Sequence, residues 1–364
     1  MNINKLTELR IGNLTARLPI VQGGMGVGIS LSGLAAAVAN EGGIGVIAAA
    51  GIGMLDYDFS TKFLEANISR LKSEIRKARE RSKGIIGVNI MVALSNYAEF
   101  VKASIEEGID IIFSGAGLPL NLPQFLDDKK DTKLVPIVSS ARAASVICKK
   151  WLDKYNYLPD AVVVEGPKAG GHLGFKEDQI YDDSFSLEKI VPEVVDGLKP
   201  FEEKAGRSIP VIAGGGIYTG ADIYRIMKLG ASGVQMATRF VATDECDASV
   251  DFKNMYINAK KEDITIIKSP VGMPGRAIRN TFTEDISAGK NKPFKCPYHC
   301  IVTCDYKNSP YCIALALTNA QKGNLEQGFA FAGENAYKTD RIISVKELMT
   351  TLQEEYTQAA AETK

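Results

Sequence analysis

The chain has 364 residues, long enough for one α/β barrel with an added lobe and too long for a single small domain. Its 43 Lys plus Arg balance 43 Asp plus Glu, so no overall field draws it to nucleic acid or to an anionic membrane surface. The first thirty residues lack the basic start, apolar middle and small-residue cleavage site of a secretory signal. No apolar run reaches the roughly 18 residues that a bilayer requires, and even GGIGVIAAAGIGML stops at Asp56. The expected compartment is the cytoplasm, where the six cysteines are thiols or metal ligands before they are disulfides.

In chain order, short apolar runs alternate with helical patterns. The expected strands are 18–22 (LPIVQ), 43–50 (GIGVIAAA), 84–91 (GIIGVNIM), 109–115 (IDIIFSG), 133–140 (KLVPIVSS), 160–166 (DAVVVEG), 209–215 (IPVIAGG) and 232–240 (SGVQMATRF). Between them lie LSGLAAAVANEG, NYAEFVKASIEEG, ARAASVICKKWLDKY and TGADIYRIMKLG, several ending in the glycine expected just past a helix. The basic run RKARERSK reads as the solvated face of an amphipathic helix from Thr61 to Lys83.

Eight apolar strands alternating with helices imply a parallel sheet buried on both faces. A TIM (β/α)8 barrel closes such a sheet without edges; an open doubly wound sheet is the alternative. Residues 1–240 are therefore expected to form the barrel. Residues 241–364 are expected to form a mainly helical C-terminal lobe near its mouth, ending in a helix near SVKELMTTLQEEYTQAAAETK.

In this fold ligands sit at the C-terminal ends of the strands. Those ends read QGGMGVG, VNIMVA, FSGAGLP, EGPKAGGHLG, AGGGIYTG and QMATRF. Gly214, Gly215 and Gly216, followed by a helix, and Gln235, Met236, Ala237 and Thr238 on the last strand fit a phosphate site, where backbone N–H groups face the anion. The bland alternative is a tight turn that three glycines permit. Gly23, Gly24 and Met25 would let a flat ring lie against backbone, and Asn89 could bond its edge. Flavin mononucleotide (FMN) has the phosphate, the polar tail and the ring that such a rim would hold.

QGGM, GVNI, AGGHLG, PVIAGGGI, GVQMATRF and SPVGMPGRAIRN, in this order between residue 18 and about residue 340, resemble the nitronate monooxygenase (2-nitropropane dioxygenase) family. That family includes the FMN-dependent enoyl-ACP reductase II. The resemblance implies an FMN-dependent TIM barrel with Gly23, Gly24, Met25 and Asn89 at the ring and Gly170 and Gly171 flanking it. Gly215, Gly216 and Gln235 to Thr238 would lie at the phosphate, and His172 is implied as the catalytic or substrate-orienting histidine. Two positions depart from the pattern. Glu165 stands where Gln is frequent, which would change the charge felt by the cofactor, and Lys168 stands where Glu is frequent, which would alter the substrate pocket.

Imidazole exchanges a proton near neutrality, so His172, between glycines at a strand end, is the candidate proton acceptor; a hydrogen-bonded structural histidine is the alternative. The resemblance implies oxidation of alkyl nitronates with O2 to carbonyl compounds and nitrite. The competing readings are enoyl-ACP reduction with NAD(P)H as co-substrate and a flavin-free phosphosugar-binding barrel. The expected partner is a small molecule, a nitronate or an enoyl thioester, rather than nucleic acid or a membrane; a homodimer is left open.

Arg276, in SPVGMPGRAIRN, is a candidate for anion contact, with a surface turn as the alternative. Cys296, Cys300, Cys304 and Cys312 lie close in sequence, and on a helix the first three would share a face. That would suit a metal or an iron–sulfur cluster, although the spacing matches neither C-x2-C zinc patterns nor ferredoxin runs. Packing of small buried thiols is the other reading.

Overall fold

The computed structural model describes residues 6–56, 62–126, 131–296 and 298–363. Eight parallel strands close into a barrel: β1 (Ile20–Gln22), β2 (Ile44–Ala48), β3 (Ile85–Met91), β4 (Ile111–Gly115), β5 (Lys133–Val138), β6 (Val162–Glu165), β7 (Val211–Gly214) and β8 (Gly233–Met236). Each falls within one of the runs expected from sequence. Strands such as β2 and β4 are buried at every residue, because the barrel interior covers one face and helices cover the other. No helix among the described residues is long and apolar enough to cross a membrane.

Inside the barrel, Val21, Val46, Phe113, Val135, Val163 and Ile212 pack together, with Leu9 and Ile11 closing the N-terminal end. Those two come from a hairpin of two short strands, Leu9–Ile11 and Leu14–Ala16, in a stretch that reads as polar along the sequence. Strands of three residues are too short to show a period, and only the side chains facing the barrel are apolar.

Around the barrel run α1 (Ser32–Asn40), α2 (Phe63–Arg81), α3 (Tyr97–Glu106), α4 (Ala141–Tyr155), α5 (Leu187–Ala205) and α6 (Gly220–Met227). The helix expected from Thr61 begins at Phe63; Thr61 itself lies outside the described residues. After β8 the short α7 (Thr238–Val241) and α8 (Val250–Asn258) lead into an antiparallel hairpin, Ile264–Lys268 with Pro274–Ile278. The segment around this hairpin reads as mixed helix in sequence, because its first strand is only partly buried and gives no alternation of apolar and polar residues.

Helices α9 (Thr281–Ser287) and α10 (Ile313–Gln321) follow, then α11 (Val345–Glu362). The last of these packs against α6 and α1, so the far C-terminus completes the ring of helices around the barrel.

Candidate active site

The C-terminal strand ends open into one cavity of about 530 Å³. Its wall takes Gly23, Gly24 and Met25 after β1, Asn89 on β3, Glu165 at the end of β6 and Gly170, Gly171 and His172 beyond it. Gly215 and Gly216 after β7 and Gln235, Met236, Ala237 and Thr238 at β8 complete that side. Gly214 does not reach the cavity. It ends β7, buried between Glu165 and Gln235 in the two neighbouring ladders.

Two glycines show why side chains are excluded from this rim. A Cβ on Gly24 would lie 2.4 Å from the Asn89 Cβ, and one on Gly170 would lie 2.6 Å from the backbone joining Ala332 to Gly333. The rim is also held by Gln22, which opens the QGGM motif but was not among the candidate site residues. Strands β1 and β2 share a single paired position, Val21 with Ile44, and the buried Gln22 side chain extends the joint. Its Oε1 accepts from the Val46 amide at 3.0 Å while its Nε2 donates to the Gly23 carbonyl.

His172 sits where the barrel meets the covering hairpin. Gly171 and His172 pair antiparallel with Arg276 and Gly275, making the third strand of that small sheet. The imidazole Nε2 lies 2.7 Å from Ser269 Oγ, and the Phe331 ring meets the imidazole edge-on at 5.0 Å. Burial pushes the His172 pKa down to about 4, so the ring is neutral at neutral pH. On the same cavity wall, burial pushes the Glu165 carboxyl up to about 7, with neither a hydrogen bond nor a neighbouring charge to offset it.

Arg276 is neither a surface turn residue nor an anion contact. It lies on the second strand of the hairpin, 3% exposed, and its Nη1 donates to the carbonyls of Pro167 and Ala169. The guanidinium thereby clips the chain leading to His172 against the hairpin. Burial lowers its pKa.

The stretch FAFAGEN, residues 329–335, is a site element that sequence reasoning missed. Phe331, Ala332 and Gly333 line the cavity. The Gly333 amide donates to Thr238 Oγ at 3.2 Å, and Asn335 Nδ2 donates to the Gly216 carbonyl at 2.7 Å, tying this stretch to both loops read as a phosphate site. Lys168 crosses the same place, paired with Glu334 at 3.3 Å and packed over Gly216. A glycine within a run of small and aromatic residues was the available signal.

Cys148 and Cys246 are buried core thiols. The segment carrying the other four cysteines is not helical, so a shared helix face does not describe their arrangement. Among the described residues no group of three or more His, Cys, Asp or Glu is arranged to hold a single metal ion. Cys300 and the adjacent Ile301 line the cavity, next to an apolar wall of Phe63, Leu94, Phe100, Ile313 and Leu317.

Residues 7–355 match the family model described as nitronate monooxygenase. A probable nitronate monooxygenase of Staphylococcus aureus (strain Newman) is 29% identical over 317 residues, 79% of this chain and 81% of the relative. A Mycobacterium tuberculosis protein named (3aS,4S,5R,7aS)-5-hydroxy-7a-methyl-1-oxo-octahydro-1H-indene-4-carboxyl-CoA dehydrogenase is 26% identical over 271 residues, 74% of this chain and 66% of the relative. Among solved structures, FabK from Thermotoga maritima is similar with a TM-score of 0.72 at 26% identity, covering 95% of this chain and 94% of that one. A nitroalkane oxidase from Streptomyces ansochromogenes shares the fold with a TM-score of 0.73 at 21% identity, covering 97% and 99%.

Proposed function

The chain belongs to the nitronate monooxygenase family, and from that premise we propose that it is an FMN-dependent oxidoreductase that oxidises alkyl nitronates with O2 to carbonyl compounds and nitrite. The observation that carries this reading is a neutral imidazole, His172, on the wall of the cavity that the glycine rim encloses.

The residues present fit the cofactor. Gly23, Gly24, Gly170 and Gly171 bring backbone without side chains to the cavity wall, and at Gly24 and Gly170 the neighbouring chain leaves no room for a Cβ. Gly215, Gly216 and the Thr238 hydroxyl offer donors for the phosphate, with Lys168 beside them. The departure at Glu165 is smaller than its charge suggests. Held up near pH 7, the carboxyl is protonated much of the time and can donate a hydrogen bond, as the amide of Gln would.

When bound, FMN supplies the electron acceptor. The chain's own part is to hold the substrate carbon beside His172 and to handle its proton. With Nε2–H donating to Ser269 Oγ, Nδ1 carries the free lone pair: it accepts the proton from the carbon next to the nitro group when the substrate arrives as the neutral nitroalkane, which yields the nitronate, and it orients a substrate that arrives as the nitronate already. Phe331 and the hairpin pack against the imidazole, and the desolvation that burial brings keeps the ring unprotonated beforehand.

A second reading, NAD(P)H-dependent reduction of an enoyl thioester, is favoured by one observation. The apolar wall of Phe63, Leu94, Phe100, Ile313 and Leu317 is longer than a short nitronate needs and would suit an acyl chain.

Purified protein should be yellow, should release nitrite from an alkyl nitronate in air, and should keep its flavin oxidised when mixed anaerobically with NADH. Rapid anaerobic bleaching by NADH, with no nitrite from nitronates, would replace the first reading with the second. Colourless protein that takes up no added FMN would sink both.

A further inference from the structure

A phosphate monoester carries about two negative charges at neutral pH. Backbone amides and hydroxyls can bond its oxygens, but they bring no whole charge to set against it, so the loops after β7 and β8 need a source of positive charge. A helix N-terminus is the usual one. Here that end is already occupied. Tyr218 N and Thr219 N, at the start of α6, donate to Asp222 Oδ2 at 3.1 and 3.0 Å, and Gly220 N donates to Glu355 Oε2 at 2.6 Å. Two carboxylates therefore sit at the positive end of that helix. After β8, α7 has only four residues, Thr238–Val241, too few aligned peptides to supply a field. Arg239, the cation of QMATRF, is engaged elsewhere, with Nη1 on the Tyr218 carbonyl at 3.1 Å and its guanidinium over the Tyr218 ring.

Among the described residues, Lys168 is the one Lys or Arg that lines the cavity. Its backbone is fixed at three consecutive carbonyls. Arg276 Nη1 donates to those of Pro167 and Ala169, and the Glu334 amide donates to that of Lys168 at 3.1 Å. The aliphatic stem then runs across Gly216, where an added Cβ would lie 2.9 Å from Lys168 Cβ and 3.1 Å from its Cδ. Any side chain at 216 would displace the lysine from the loop. Beyond the stem, Nζ meets Glu334 Oε2 at 3.3 Å, with 56% of the Lys168 side chain and 37% of the Glu334 side chain exposed. An ion pair so open is weak, and a dianion delivered to the same place can draw the ammonium away from it. Glu334 keeps an opposite charge when that happens, because the Arg276 guanidinium is near enough to attract it.

We propose that Lys168 supplies the positive charge for the phosphate of FMN, and that Glu334 holds this ammonium in the cofactor-free chain and releases it on loading. The assignment rests on the FMN reading of the cavity. It places the effect of the departure at 168, a lysine where the family frequently has Glu, at the cofactor rather than in the substrate pocket.

The test compares FMN with riboflavin, which has the same ring and ribityl tail without the phosphate, titrated into the cofactor-free full chain and followed by quenching of flavin fluorescence. Lys168→Met keeps the stem over Gly216 and removes the charge. It should weaken FMN about tenfold, the scale of one charge-assisted contact, and leave riboflavin within about twofold. Glu334→Gln removes the competitor and should tighten FMN by about two- to fivefold, again without moving riboflavin. In the wild type, the preference for FMN over riboflavin should shrink as salt is raised. Equal losses of FMN and riboflavin in Lys168→Met overturn the assignment, since the loop rather than the charge would then matter. A salt-independent preference overturns it without any variant, and Glu334→Gln that binds FMN more weakly overturns the release. Wild-type protein that takes up neither flavin removes the FMN reading and this assignment together, whereas FMN held equally by wild type and Lys168→Met removes the assignment alone.

Discussion

The cavity has two walls of different construction. On the barrel side, Asn89, Glu165 and Gln235 stand on strands whose backbones are bonded to a neighbour on each side. On the covering side, the wall comes from the chain beyond residue 240 and is joined to the barrel by separate ties: Arg276 to Pro167 and Ala169, Gly333 to Thr238, Asn335 to Gly216. A ladder fixes every residue it contains, whereas a tie fixes only its own point. The barrel wall is therefore suited to holding a cofactor in one geometry. The covering wall is suited to varying what else enters. His172 belongs to both, since it follows β6 and pairs with the hairpin.

The largest expected effect tests that junction. With a neutral nitroalkane as substrate, His172→Ala should lower turnover by about 100- to 10,000-fold, the range for removing a general base, while the protein still binds FMN and stays yellow. Steady-state kinetics alongside a flavin absorbance spectrum would check this. Turnover within a few-fold of the original would remove the proton-accepting role.

Arg276→Met probes the tie directly. It leaves the Pro167 and Ala169 carbonyls buried without their donor, at a cost of about 1–3 kcal/mol in thermal or urea unfolding. Weaker FMN binding should accompany that loss, because the same carbonyls belong to the loop carrying Gly170 and Gly171. Unchanged stability would mean that the covering wall holds itself in place without this side chain.

The same division explains what was legible in the sequence. The barrel strands are buried on both faces and read as continuous apolar runs, and the glycines at their ends mark places where a side chain would collide with backbone. Both signals are local. The covering wall depends on contacts across long separations: Arg276 reaches back more than a hundred residues, and Ile264–Lys268 is too evenly half-buried to show a period. Gln22 opens the QGGM motif, but its role was not legible, since nothing local says that a polar side chain will stand in for missing ladder bonds between β1 and β2. Arg276 could be read as an anion contact because a sequence shows its charge and not the carbonyls that occupy it.

Glu165 sharpens the barrel side of the comparison. Its pKa is raised from an ordinary 4.5 to about 7, so the folded chain without cofactor binds the extra proton, and stability declines as pH rises between those values. His172 acts in the opposite direction. Its pKa is lowered from 6.5 to about 4, so stability declines as pH falls through that range. Glu165→Gln should abolish the first decline and leave the second, gaining at most about 3 kcal/mol above pH 7 and about 1.5 kcal/mol once solvent screening at a half-buried carboxyl is allowed for. Urea unfolding of the cofactor-free protein at pH 5, 7 and 9 would show it. An identical pH dependence in the variant would mean that the carboxyl is ionised and solvated in the free protein.

The smallest effect separates orientation from acidity. Ser269 holds the His172 ring through Nε2, yet burial rather than this bond lowers the pKa. Ser269→Ala should therefore cost about 0.5–1.5 kcal/mol of transition-state stabilisation, up to roughly tenfold in kcat, by freeing the ring to turn. The acid limb of the rate profile should stay near pH 4, because the walls that desolvate the imidazole are unchanged. Were the limb instead to move up toward 6.5, the hydroxyl would be keeping the site dry as well as aligned, and the covering wall would be looser than its ties suggest.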